Sequence, residues 1–352
     1  MSSLFETFEG PNVIGKSRKF WIGFWAVVAL ILLYPLTAGA YSTLQMTVYF
    51  IWIFLALSLT FIWGYSGILS FGQTAFFGFS GYLFGVLSIN LIQITGETAI
   101  ALLLTVLTST LFAASLGYFM FYGRVSGVYV AIITLATTLV LELGFTRATS
   151  VTIGDATLGG YQGMTGIPRM TFELGVTNLT LGPVTRYYFV IAVLLVVYFA
   201  LRYVVNTDFG YAMIAIREDE DRTEMLGYDI RLLKLKVFAI GGALAGLGGG
   251  LYASWGQFMS PPLMGLTSAA LPVIWVTVGG RKTLLGPMIA AFVLQYLGDQ
   301  IALFQASLSV IMVGVILIVT ILYMDSGAIP SLEAYILDLF ESDGVAEEEE
   351  AA

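Results

Sequence analysis

The sequence predicts an all-α integral membrane protein of about ten transmembrane segments, and three observations lead there. Of its 352 residues, 58% are hydrophobic and only 11% are charged, whereas soluble chains run at about 45–50% apolar and about 25% charged. The apolar residues come in runs long enough to cross a bilayer, which takes about 20 residues of helix. The cations between those runs fall mostly on alternate loops. The sequence also contains neither Cys nor His. That removes disulfides, thiolate metal sites, cysteine nucleophiles and the commonest general base. No catalytic residue, metal site or cofactor is expected, and transport is favoured over chemistry.

Taken in order, the candidate spans are residues 21–37, 44–63, 74–94, 98–121, 126–145, 187–205, 236–255, 267–278, 283–304 and 306–324. The first follows Lys16, Arg18 and Lys19. Its apolar stretch is long and lacks a small-residue cleavage pattern, so it reads as an uncleaved span and not a signal peptide. The second and third are parted only by the Gly-rich residues 64–73, which read as broken or re-entrant backbone. Such backbone is tolerated at membrane depth only where protein or a water-filled cavity surrounds it. The eighth is too short to cross alone. Residues 1–20 are expected to form a cytoplasmic segment, 21–324 the membrane domain, and 325–352 an acidic cytoplasmic tail that carries nine of the 23 acids.

Charge orients this arrangement. With the N-terminus in the cytoplasm and ten alternating spans, twelve of the fifteen cations fall inside. Only Arg147, Arg169 and Arg186 fall outside, the asymmetry expected of a cell-membrane protein with both termini in the cytoplasm. No basic patch stands clear of acids, so nucleic acid is not an expected partner.

Two loops are long enough to act. The external one, 146–186, holds Gly159, Gly160, Gly163, Gly166 and Pro168, followed by a β-like run over 170–180. The internal one, 206–235, is the most charged stretch of the chain, and residues 212–227 read as one amphipathic helix. Met213, Ile214, Ile216, Met225 and Leu226 give its apolar positions, and residues 217–222 its polar face. So many acids would be repelled by anionic lipid, which favours a protein partner.

Within the spans, Gly242, Gly246 and Gly250 recur every fourth residue, as do Gly241, Ala245 and Gly249. Small residues at that spacing let helix backbones approach closely in lipid. Thr134, Thr138 and Glu142 form one polar stripe down an otherwise apolar helix. An ionisable group at membrane depth faces a cavity or a partner, so Glu142 reads either as lining of a solute path or as a partner of Arg147 or of a neighbouring helix. Asp299, near a helix end, reads as interfacial. The run Gly279-Gly280-Arg281-Lys282-Thr283 lacks the ending of a phosphate loop and follows no soluble strand, so it reads as a tight turn with two cations.

Several motifs together resemble the permease subunits of ABC importers for branched-chain amino acids and urea. They are Gly64-Tyr65-Ser66-Gly67-Ile68-Leu69-Ser70-Phe71-Gly72-Gln73, Ser126-Gly127-Val128-Tyr129-Val130-Ala131, Gly163-Met164-Thr165-Gly166, Ala215-Ile216-Arg217-Glu218-Asp219-Glu220, Leu226-Gly227-Tyr228 and Ala243-Leu244-Ala245-Gly246. The resemblance runs from about residue 44 to 317, and Gln73 stands where the family often has His. It implies a type II-like importer bundle with a second permease subunit, two ABC ATPase subunits and an extracytoplasmic substrate-binding protein. It implies ATPase docking through Ala215, Arg217, Glu218, Glu224 and Gly227, although the family's Glu-Ala-Ala…Gly pattern is reduced here to Glu224-Met225-Leu226-Gly227. Gln73, Thr134, Thr138 and Glu142 are the candidate residues of the translocation path. The external Gly-rich loop would face the binding protein. Residues 260–265 and 274–284 look more like the urea branch, so urea or a short amide is favoured and branched-chain amino acids come next. A proton-coupled secondary transporter using Glu142 and Asp299, and a passive amide channel, are the competing expectations.

Overall fold

The structure, a computed structural model, describes residues 18–173 and 178–323 together with Gly10, Asn12, Val13, Gly15 and Gly327. Most of the expected N-terminal segment and acidic tail lie outside the described residues. Among the described residues the chain forms twelve α-helices and six short strands. Six stretches are long and apolar enough to cross a membrane: α1 (Arg18–Thr37), α2 with the turn that extends it (Ala40–Gly64), α3 (Gln73–Thr95), α4 (Ala99–Tyr122), α5 (Val128–Arg147) and α6 (Pro183–Val204). The expected count of about ten is not reached on those criteria. Of the remaining long helices, α9 (Ile230–Gly256) has 27 residues but starts in a cationic segment. α10 (Leu266–Gly279) has only 14, a length of about 21 Å at 1.5 Å per residue. α11 (Leu285–Ala302) ends in polar residues, and α12 (Ala306–Tyr323) follows it.

Helix α9 sits at the centre because its glycines let neighbours approach on two sides. A Cβ on Gly242 would strike that of Ala113, one on Gly246 would strike Ser109, and one on Gly250 would lie 2.7 Å from the end of Leu102. All three neighbours belong to α4. On the other side, Gly241 meets Ile62 of the turn after α2, and Gly249 meets the backbone of Phe77 in α3. Ser58 Oγ donates to the Gly241 carbonyl (2.7 Å) and Ser109 Oγ to that of Gly242 (2.9 Å). These bonds give two buried hydroxyls partners where lipid offers none. Helix α2 is the most enclosed span. In contrast, α1 leaves Ile22, Leu30 and Leu36 exposed and joins the bundle through rings, Phe24 stacking on Tyr198 and Trp21 on Phe199.

The Gly-rich segment is broken backbone, as its composition suggests. α2 proper (Ala40–Leu59) continues as a π-helical turn, Thr60–Gly64, and regular helix resumes only at Gln73. Protein surrounds most of it, the condition for irregular backbone at membrane depth. Gly67, at φ +75°, is its exposed corner.

The 146–186 loop folds over one end of the bundle. Strands β4 (Thr171–Glu173) and β5 (Asn178–Thr180) pair antiparallel within the β-like run. Strand β3 (Met164–Thr165) pairs with β6 (Phe258–Met259), which ties this loop to the chain just after α9. β1 (Thr152–Ile153) and β2 (Ala156–Thr157) form a third pair. Buried Arg186 donates to the carbonyls of Trp255 (3.0 Å) and Leu181 (3.2 Å).

The expectation of one amphipathic helix over residues 212–227 is overturned. There are two helices, α7 (Asp208–Glu218) and α8 (Glu220–Met225), broken at Asp219 with φ −160° and ψ 108°. Asp219 is extended because it caps α8, its Oδ1 accepting from the Arg222 amide at 3.0 Å. A short side-chain acceptor at that point satisfies an N–H that would otherwise have no partner. Met213 and Ile216 are buried, but Met225 and Leu226 are 85% and 75% exposed.

Candidate functional site

Two regions hold the candidate residues. The first is the break before α3. Gln73 is buried, and its amide lies between Ser58 and Ser70, with Nε2 3.2 Å from Ser70 Oγ. Ser58 has one proton and donates it to Gly241. Turning the Gln73 amide over therefore gives every group a partner: Nε2 donates to Ser58, and Ser70 donates to Oε1. Thr134 accepts from the Phe71 amide at 3.1 Å, while Thr138 donates to the Phe71 carbonyl at 3.2 Å. Two threonines one turn apart on α5 thus take up both backbone groups of one residue in the break. Gln73, Thr134 and Thr138 converge on residues 70–73, and all three are sealed from solvent. Glu142 stands apart, half-buried, its Oε1 3.0 Å from where a Cβ on Gly265 would lie. Among the described residues it makes no ion pair with Arg147. Asp299 is exposed and accepts from Gln295 at 3.2 Å.

The second region is the α7–α8 surface. Arg217 ends α7 and reaches inward, donating from Nη1 to the Gly64 carbonyl at 2.7 Å. Its Nη2 and Nε hold the Glu218 carboxylate at 2.7 and 3.1 Å. That hydrogen bond and the charge of the guanidinium favour the ionised carboxylate and hold the Glu218 pKa below its ordinary range. Ala215 is half-buried, whereas Glu218, Glu224 and Gly227 are exposed. Gly227 turns the chain at φ +89° with nothing near its missing side chain. The surface there presents Met225, Leu226 and Tyr228, three exposed apolar or aromatic residues beside Glu224. Behind it, buried Lys234 pairs with Glu220 at 2.6 Å.

Contacts of this kind missed in the sequence include the Gly64–Arg217 bond and the stacking of Arg281 over Trp63 at 5.1 Å. Neither pair is near in sequence, and no local pattern signals them. The capping roles of Asp219 and Asp229 were readable, since each stands three residues before the amide it accepts from. The run at 279–283 is indeed a turn, closed by the Thr283 amide bonding the Gly280 carbonyl at 3.2 Å.

The cations separate along α9. Arg231 and Lys234 begin that helix, and Arg124 shares a cavity with them. Arg186 contacts Trp255 at its other end, and Arg169 lies 3.5 Å from Gln257 just beyond. Arg217 and Arg281 both meet the end of α2 at Gly64 and Trp63.

Comparison with known proteins follows the same line. Residues 42–321 match the model of the family described as "Branched-chain amino acid transport system / permease component". The High-affinity branched-chain amino acid transport system permease protein LivM of Escherichia coli (strain K12) is 26% identical over 91% of this chain and 77% of its own length. The protein of that name from Salmonella typhimurium is 25% identical over the same shares. The Probable branched-chain amino acid transport permease protein LivM of Methanocaldococcus jannaschii is 27% identical over 49% of this chain and 53% of its own length. No solved structure matches. The match spans the broken segment, the polar cluster and the α7–α8 surface alike, and the relatives are transport proteins and not enzymes. The chain thus belongs to the branched-chain amino acid transport system permease component family and is a multi-pass membrane permease.

Proposed function

We propose that this chain is a permease subunit of an ATP-driven importer that admits a small amino acid through alternating access. It would cross the bilayer ten times with both ends in the cytoplasm, beside a second permease subunit. Two ATPase subunits would bind below and an extracytoplasmic binding protein would face the 146–186 loop. The observation that carries this reading is the Arg217–Gly64 bond. It joins α7, which leads through Asp219 into α8 and the exposed Met225 and Leu226, to the broken backbone that holds Phe71 and ends at Gln73, where the two threonines of α5 bond it. A motor moving α7 and α8 would thereby act directly on an interior polar segment.

Alternating access needs contacts that differ between two states. The 64–73 segment suits that demand because it is not regular helix and part of its hydrogen bonding is made to side-chain hydroxyls, which can exchange partners. The relatives' names favour branched-chain amino acids over urea as the solute. The test is uptake of labelled leucine and of urea into vesicles carrying the chain with its ATPase, second permease and binding protein. Leucine uptake that requires ATP and survives collapse of the proton gradient is expected. Uptake that follows the proton gradient, or proceeds without any energy source, would overturn the ATP-driven reading. Uptake of urea alone would restore the amide as solute.

A further inference from the structure

A cavity of about 290 Å³ opens where the turn between α4 and α5 faces the start of α9 and helix α8. Its charged lining is Arg124, Arg231 and Lys234 against Glu220 and Glu224. Lys234 and Glu220 satisfy each other, which leaves Arg124 and Arg231 facing the single carboxylate of Glu224. Among the described residues neither arginine makes an ion pair. The lining of the cavity therefore carries one cation more than it has carboxylates, although the 206–235 segment around it is acidic as a whole and repels anionic lipid elsewhere. Arg124 sits in the turn at φ +58°, a left-handed conformation uncommon for a residue with a side chain.

The depth of the cavity follows from its neighbours. Residues 123–127 join two stretches long and apolar enough to span, so the turn lies at a membrane–water boundary whichever way the chain is oriented. Directly beside it Phe119 and Tyr129 are 73% and 71% exposed, and Tyr118 stacks on Tyr122 at 4.6 Å between ring centres. Exposed tyrosines at a helix end mark the headgroup level of a bilayer. A pocket with spare cations next to such a belt meets phosphate chemistry first in the lipid itself.

We propose that this cavity binds the phosphate-bearing headgroup of an anionic phospholipid, with Arg124 and Arg231 as its contacts and the acyl chains lying along the exposed aromatic face of α4 and α5. Because α8 forms the opposite wall, a bound headgroup would brace the α7–α8 surface against the bundle. The inference needs only that the chain lies in a membrane, and it stands or falls apart from the ATP-driven reading.

The test is native mass spectrometry of the full chain in detergent after exchange with vesicles of phosphatidylglycerol or phosphatidylcholine. Wild type should retain phosphatidylglycerol selectively. Each cation removed should lower retention about fivefold, so Arg124→Gln and Arg231→Gln fall between wild type and the double variant. Arg124→Lys with Arg231→Lys should restore binding, which separates charge from folding. Lys236→Ala, at the same end of α9 but outside the cavity, should change nothing. Equal retention by the double variant, an equal loss on Lys236→Ala, or full displacement by millimolar inorganic phosphate would each overturn the lipid site.

Discussion

Arg217 Nη1 donates to the carbonyl oxygen of Gly64 across 2.7 Å, linking residues 153 positions apart. The last carbonyls of a helix have no partner within it, and a guanidinium is a suitable donor there because it adds favourable charge at the negative end of the helix. The same guanidinium grips Glu218 on the surface. One side chain therefore touches both the interior break and the outer face of α7.

Replacing Arg217 with Ala should leave the Gly64 carbonyl short of a partner, at a cost of about 1–3 kcal/mol. Uptake in reconstituted vesicles should fall while ATP hydrolysis by the partner subunits continues. Arg217→Lys should restore little, because an ammonium lacks the fork that serves Gly64 and Glu218 together. Undiminished uptake by both variants would remove Arg217 from the coupling.

Gly227→Ala meets no neighbour but must hold φ +89°, which costs about 1 kcal/mol for a residue with a Cβ. The strain falls on an exposed turn, so the melting temperature of the bundle should barely move. Binding of the isolated ATPase subunit, measured by surface plasmon resonance, should weaken. The reverse pattern would mean that the turn serves the bundle and not a partner.

On α9, Gly246→Ala should destabilise more than Gly250→Ala. The first drives a methyl into Ser109 Cβ, which is fixed to the α4 backbone, whereas the second meets the movable end of Leu102. Overfilling of this kind costs about 1–3 kcal/mol. Thermal unfolding in detergent should rank the variants in that order.

Thr134→Val keeps the shape and removes the acceptor of the Phe71 amide. A buried N–H left unpaired costs about 1–3 kcal/mol. Amide exchange at Phe71, read by mass spectrometry, should speed up, and Thr138→Val should leave that amide slower than Thr134→Val does. Equal protection in both variants would show that another group holds Phe71.

The Glu218 carboxyl is depressed by Arg217, so the sign of its pH dependence is fixed. Its link to Arg217 is present above the ordinary carboxylate pKa and is lost as pH falls through the lowered value. Wild type and Glu218→Gln should differ in ATPase binding at neutral pH and converge only in strong acid. Convergence already near pH 5, about one unit above the usual carboxylate value, would contradict the lowered pKa.

The sequence revealed much of this architecture because lipid demands it. Long apolar runs, small residues every fourth position and a Gly-rich break each have one physical explanation in a bilayer, and the helices, the α9 contacts and the 64–73 break follow them. The family was legible for the same reason, its motifs falling at those constrained places. What was not legible depended on chain partners far apart. Asp219 could be read locally as a cap for Arg222, but amphipathic periodicity continues across it and hides the split of the 212–227 stretch. Nor could periodicity tell that Thr134 and Thr138, besides bonding the preceding turn of α5, reach the backbone of Phe71 in another segment.

The bare flanks of α9 have a mechanical consequence. Where glycines bare its flank, backbones meet without side chains between them, but Phe238 and Tyr252 on the same helix interlock with rings of α2, α3 and α4. Its height is set by those rings together with Ser58 on Gly241, Ser109 on Gly242 and the Trp255 indole, which donates to the Leu44 carbonyl at 2.7 Å. The glycine face therefore decides how near the neighbours come, and the rings decide that the rod stays put.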